Sequence, residues 1–254
     1  MVCDFLYGKA TLLLLASQLV VWSLQAQALV GAGKEAPDLE AHVVMVLKRS
    51  GNRAGFCSAT VISRNTVLTA AHCIADLADT RVHFRDVLKH PVLREVAEIA
   101  IHPGFLADAV EKRRRSIDLA LLRLAEPLPE SFIPITLDGT NRLEVDQTLR
   151  LAGFGVATEG DAKTSGILRS GIIAVREPLS SILLWASDPQ NQGTGACTGD
   201  SGGPVLRVDR AVLVAVSVWA EGKGRNRCGL LTQAVLVGPQ RIWIETLLKK
   251  WSMM

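Results

Sequence analysis

Ten short apolar segments, each cut off by turn-forming residues, make up most of what this chain can bury. They run over His42–Leu47, Phe56–Ile62, Thr66–Ala70, Glu95–His102, Ala120–Leu124, Thr148–Ala152, Leu168–Val175, Ile182–Trp185, Pro204–Val208 and Ala211–Trp219. Runs of this length, punctuated by glycine, proline and asparagine, predict strands and an all-β barrel or sandwich. Lys48 to Gly55, with Ser50-Gly51-Asn52, reads as a hairpin loop, and Ala125 to Asp146, broken by Pro127, Pro129 and Pro134, as a linker between two halves. A helical period emerges only at Pro239–Trp251, where Ile244, Leu247, Leu248 and Trp251 share one face. A length of 254 residues suits one compact all-β unit or two small barrels sharing a core.

The stretch that carries chemistry is Gly195-Ala196-Cys197-Thr198-Gly199-Asp200-Ser201-Gly202-Gly203-Pro204. Its glycines let the backbone fold tightly around one hydroxyl and turn N–H groups inward, where they would stabilise an oxyanion. The run Gly199 to Pro204 resembles the nucleophile loop of the chymotrypsin-like (trypsin-fold) serine proteases. Two further segments carry the same resemblance. Thr69-Ala70-Ala71-His72-Cys73 is similar to the family's histidine motif, and Asp118-Leu119-Ala120-Leu121-Leu122-Arg123-Leu124 to the segment supplying its acid. Alone, a histidine beside small apolar residues or an aspartate leading a strand is as readily structural. Together, in the order His72, Asp118, Ser201, they follow the chymotrypsin order rather than that of subtilisin or the α/β-hydrolases.

The resemblance implies two packed antiparallel six-stranded β-barrels with a C-terminal helix: residues about 29–130, about 140–238 and 239–251. It also implies roles. Ser201 is the nucleophile, His72 its general base, and Asp118 the orienter of His72; the N–H groups of Gly199 and Ser201 form the oxyanion hole. Ser217 would support Asp118. Gly195 is the floor of the specificity pocket, so cleavage after Lys or Arg lacks a carboxylate partner. Ser217-Val218-Trp219-Ala220 stands where relatives have Ser-Trp-Gly, which puts Trp219 on the pocket rim or in an insertion. Gly153-Phe154-Gly155 replaces the usual Gly-Trp-Gly, and a disulfide common between Ser170 and Ser187 is missing, which predicts a looser loop from Ser187 to Thr194. The basic run Lys112-Arg113-Arg114-Arg115 reads first as a solvated loop, and secondly as a preference for acidic residues upstream of the cut.

Residues 1–28 read as an export signal: Lys9, an apolar run from Thr11 to Trp22, and the small-x-small site Ala26-Gln27-Ala28. An uncleaved anchor is the alternative, but the apolar run is short for a span. Cleavage leaves a peptidase domain at 29–254 and removes Cys3, so five cysteines become four, an even number that suits an exported chain. Four cysteines allow three pairings, and the resemblance implies Cys57–Cys73 and Cys197–Cys228. The new terminus Leu29-Val30-Gly31-Ala32 resembles the Ile-Val-Gly-Gly start of active members, whose α-amino group pairs with the acid before the nucleophile, here Asp200. Activation by signal removal alone follows.

A net charge of +3 without aromatic-and-basic interleaving excludes a nucleic-acid partner, and neither a phosphate loop nor paired metal ligands occur, so no metal or cofactor is expected. The sequence therefore predicts a secreted or periplasmic, monomeric serine endopeptidase acting on protein or peptide substrates, with no stable membrane insertion once the signal is gone. A protease-like binding or toxin module with weak or no turnover is the alternative, motivated by the pocket wall and the missing disulfide. An esterase would use the same chemistry.

Overall fold

The structure, a computed structural model, describes residues 29–253 except 110, 111, 113, 140 and 141. The expected export signal lies outside the described residues. After a two-residue strand β1 (Lys34–Glu35), six strands close the first barrel: β2 (Val43–Ser50), β3 (Arg53–Ser63), β4 (Thr66–Thr69), β5 (Thr80–Arg85), β6 (Pro91–Ile101) and β7 (Ala120–Leu124). Their order around the barrel is β2-β3-β4-β7-β6-β5, with β5 returning to β2 through Val46↔Val82. The short β8 (Thr136–Leu137) then leads to β9 (Thr148–Gly153), β10 (Arg169–Arg176), β11 (Leu183–Ser187), β12 (Pro204–Arg207), β13 (Val212–Gly222) and β14 (Gly229–Leu236). These six close as β9-β10-β11-β14-β13-β12, β12 pairing back onto β9 at Val205↔Leu151. All twelve barrel strands pair antiparallel; β1 adds to β10, and β8 lies parallel to β13.

Besides the two-residue β1 and β8, two barrel strands have no counterpart among the apolar segments. In β5, Thr80, Val82 and Phe84 point inward while Arg81, His83 and Arg85 face outward or sit half-buried. That strict period of two is what one barrel wall asks of a strand, but cations on alternate positions dilute the apolar count. The other is β14, whose first half carries exposed Leu230 and polar Thr232 and Gln233. The expected loop from Lys48 to Gly55 is instead nearly all strand. Pairing runs on to Ser50↔Arg53, and Gly51, at φ +57°, closes a two-residue turn.

One core cluster spans both barrels, from Val44 and Leu68 to Leu206 and Val235; a second fills the interior of the C-terminal barrel with Leu149, Leu151, Ile173 and Leu29. The helix α1 (Arg241–Ser252) returns to the first barrel. It buries Ile244 and Trp251, half-buries Leu247 and Leu248, and donates from Trp251 Nε1 to Glu98 Oε1 of β6 at 2.8 Å. The apolar stripe read from the sequence is the face that docks. Among the described residues no helix is long and apolar enough to cross a membrane.

Candidate active site

The barrel topology brings His72 and Asp118 together. Strands β4 and β7 are neighbours with Thr69 opposite Ala120. Three residues beyond Thr69 and two before Ala120, His72 and Asp118 leave the same end of the barrel. A single 3-10 turn, Ala71–Cys73, then swings the imidazole outward. Asp118 holds it at two points: Oδ1 accepts from the His72 backbone N–H at 2.9 Å, and Oδ2 lies 2.6 Å from Nδ1. A carboxylate is acceptor-only, so it fixes the proton on Nδ1 and leaves the lone pair of Nε2 free. Lys48 Nζ donates to the His72 carbonyl at 2.7 Å. Desolvation holds that ammonium below its ordinary value, partly opposed by the charge of Asp118.

Ser201 comes from the other barrel, and β3 pins its loop. The Ser58 N–H donates to Ser201 O at 2.8 Å, and Ser58 Oγ donates to Gly199 O at 2.9 Å while accepting from Phe154 N–H at 2.9 Å. Ser58 follows Cys57, which is bridged to Cys73, the residue after His72. One disulfide and one backbone hydrogen bond thus link His72 to the Ser201 loop. Among the described residues Ser201 Oγ makes no hydrogen bond, and the sulfur of Cys73 lies 3.7 Å from His72 Nε2. Base–nucleophile bonds are commonly loose until substrate arrives.

The loop before Ser201 is built around one buried acid. Asp200 is 0% exposed. Its Oδ1 accepts from Gly155 N–H at 2.8 Å and its Oδ2 from Cys197 N–H at 2.9 Å. The carboxylate packs so closely on Gly153 and Gly155 that a methyl at either position would strike it, which accounts for both glycines of Gly-Phe-Gly. Burial pushes the Asp200 carboxyl up to about 7 against the pull of those two N–H groups and of Arg169. Gly199, at φ +97°, lies against the Phe56 ring with no space for a side chain. Neither Gly199 N–H nor Ser201 N–H donates to a protein acceptor among the described residues. The second disulfide, Cys197–Cys228, anchors the loop on its near side.

Leu29 is 1% exposed inside the C-terminal barrel; Val30 bridges to Gly195, whose N–H donates to Val30 O at 3.3 Å. Among the described residues, the two donors to Asp200 are backbone N–H groups. At the substrate side, Ala196 N–H donates to Thr232 Oγ1 at 2.9 Å, which fixes the pocket segment beside Gly195. The Ser217 hydroxyl is buried without a hydrogen-bond partner, so it gives Asp118 no support here. Trp219, 36% exposed, follows a register shift in β13 and lines a cleft of about 590 Å³ with His72, Asp118, Phe105, Trp185 and Arg115. Arg114 pairs with Asp108 at 2.7 Å, whereas Arg115 has no ion pair among the described residues.

Three participants carry no sequence motif: Ser58, Asp188 and Arg169. The loop from Ser187 to Thr194 is tighter than expected, because the Asp188 carboxylate accepts from the N–H groups of Gln190, Gln192 and Thr194 at 2.7 to 3.0 Å. Burial works to raise the Asp188 carboxyl, but those three donors hold it below its usual range. An Asx-type turn is readable from the sequence only as the turn chemistry of Asp188-Pro189.

The family model described as Trypsin matches residues 30–237. A trypsin of Saccharopolyspora erythraea is 23% identical over 207 residues, covering 76% of this chain and 88% of its own. A vitellin-degrading protease of Bombyx mori is 28% identical over 212 residues, 74% and 75% of the two chains. Among solved structures, neuropsin, a serine protease expressed in the limbic system of mouse brain, superposes with a TM-score of 0.69 at 21% identity, covering 85% of this chain and 98% of its own. A scabies mite inactivated protease paralogue does so with a TM-score of 0.69 at 20% identity, over 86% and 99%.

Proposed function

The chain belongs to the trypsin family of serine endopeptidases, and from that premise we propose that Ser201, His72 and Asp118 are its catalytic triad. The observation that carries the reading is the two-point grip of Asp118 on His72, made beside a nucleophile loop pinned to the same barrel by Ser58. His72 Nε2 takes the proton of Ser201 Oγ as the oxygen attacks the scissile carbonyl. The developing oxyanion is received by the N–H groups of Gly199 and Ser201. The imidazolium, stabilised by Asp118, protonates the leaving amine, and water then releases the acyl group by the same route.

Substrates are proteins or peptides. Gly195 offers no carboxylate to a cationic side chain, so we do not assign a Lys/Arg preference. Trp219 on the rim favours small or medium aliphatic residues at the cut. Arg115, facing the same cleft with no ion pair among the described residues, favours an acidic residue upstream. The disulfides suit an oxidising compartment, in keeping with export and with a mature chain that starts at Leu29. A second reading, a protease-like module with little turnover, is favoured by the altered pocket wall, where β13 shifts register between Ser217 and Trp219. A fluorophosphonate probe separates the two: stoichiometric labelling of the mature chain, absent in Ser201→Ala, supports the peptidase, and no labelling of the wild type supports the module. Profiling against a diverse peptide library then tests specificity; best cleavage after Lys would overturn the pocket assignment.

A further inference from the structure

The pocket under the nucleophile loop contains a charge that the mechanism above does not use. Arg169, on β10, lies directly across the ladder from Gly153 of β9, the residue on which the Asp200 carboxylate rests. It is 2% exposed. Its Nη1 donates to Thr164 O at 2.7 Å, while its Nε is buried with no hydrogen-bond partner. A buried guanidinium whose acceptor is a neutral carbonyl is costly unless a negative charge lies near it. Two carboxylates act on it through space, without a direct ion pair among the described residues: Glu35, exposed, opposite Arg169 on β1, and Asp200, fully buried. Arg169 and Asp200 each favour the other's charged form.

Asp200 needs a cation. Its hydrogen-bonding oxygens are met only by backbone N–H groups, and in a chain not yet cut before Leu29 the nitrogen of Leu29 is a peptide amide, without charge. The Leu29 side chain nevertheless already fills the core of the second barrel. We propose that Arg169 is a positioning residue: a standing counter-charge that keeps Asp200 in place, and the Gly199–Ser201 loop in its catalytic arrangement, before any α-amino group is freed at Leu29. Cutting at Leu29 would then enhance an activity that already exists, rather than create it. The inference rests on the triad reading above.

The test uses the full domain with a cleavable extension ahead of Leu29, assayed by the rate of fluorophosphonate labelling of Ser201 before and after the extension is removed. Wild type should label in the extended form within about tenfold of the freed form. Arg169→Met should slow the extended form about tenfold or more and the freed form no more than about threefold, because the new ammonium then supplies the charge. Arg169→Lys should restore most of the extended form's rate, and Glu35→Gln should leave both forms within about twofold. A merely structural arginine would lower both forms alike and would not be rescued by lysine; either result overturns the proposal. Should Arg169→Met fail to fold, wild type alone decides, since an extended form that does not label beside a freed form that does would also overturn it. If the freed wild type itself fails to label, the triad reading falls, and this inference with it.

Discussion

The two barrels contribute to the site in different ways. In the N-terminal barrel, His72 and Asp118 project from adjacent strand ends, held by two hydrogen bonds to each other and by the Cys57–Cys73 bridge. Every determinant lies within that barrel. In the C-terminal barrel, the Ser201 loop depends on a carboxylate with no exposed surface, on Ser58 of the other barrel, and on a chain segment, Leu29–Val30, that arrives from elsewhere. A base can therefore be a fixed feature of the fold while the oxyanion loop remains conditional on a buried charge balance. That asymmetry suits an enzyme whose activity is governed through the nucleophile side.

The comparison can be broken from either end. Ser201→Ala should lower kcat about 10⁶-fold in an amide hydrolysis assay, leaving only what binding and the oxyanion donors supply. On the N-terminal side, Asp118→Asn should cost about 10⁴-fold in kcat by stabilising the wrong imidazole tautomer, the loss known for this triad geometry. Thermal unfolding should barely move. On the C-terminal side, Asp200→Asn should cost about 10² to 10³-fold by disordering the oxyanion loop, while the proton between His72 and Asp118 keeps its low-field NMR resonance. Loss of that resonance as well would mean the two barrels are not independent. Replacing both cysteines of either bridge by alanine should destabilise the fold by about 3 to 4 kcal/mol in denaturant titrations, the Cys197–Cys228 pair slightly more because it closes the longer loop.

The smallest effect is one of pH. An unfolded aspartate titrates near 3.8, and Asp200 in the folded chain at about 7. Between those values the folded state holds a proton that the unfolded state has released, so this group's contribution to stability falls as pH rises. A form extended ahead of Leu29 should therefore lose Tm between pH 4 and 7 relative to the freed form in parallel melts, since the freed terminal ammonium stabilises the charged carboxylate.

What the sequence revealed follows the same division. His72, Asp118 and Ser201 each sit in a compact motif because their geometry is set by neighbours within a few residues. Both disulfides formed as the resemblance implied. The residues that escaped notice act over long separations. Ser58 meets Gly199 across 141 positions, and the register of two strands sets Arg169 opposite Gly153, on which Asp200 rests. Nothing near either in sequence marks such a role. Strand β5 was missed for a different reason: alternation was present, but arginine and histidine on its outer positions hid it from a count of apolar residues. The loop after Ser187, without the disulfide common in relatives, is tied by the Asp188 carboxylate through three hydrogen bonds, which no motif announces.

The most direct test of an assembled triad is the fluorophosphonate labelling rate of the mature chain, measured for wild type, His72→Ala and Ser201→Ala, with the adduct mapped by mass spectrometry. One adduct per chain on Ser201, formed rapidly in wild type and at least about 10³-fold more slowly without the imidazole, is the predicted result. An adduct on another residue, or one that forms on Ser201 equally fast in His72→Ala, would contradict it.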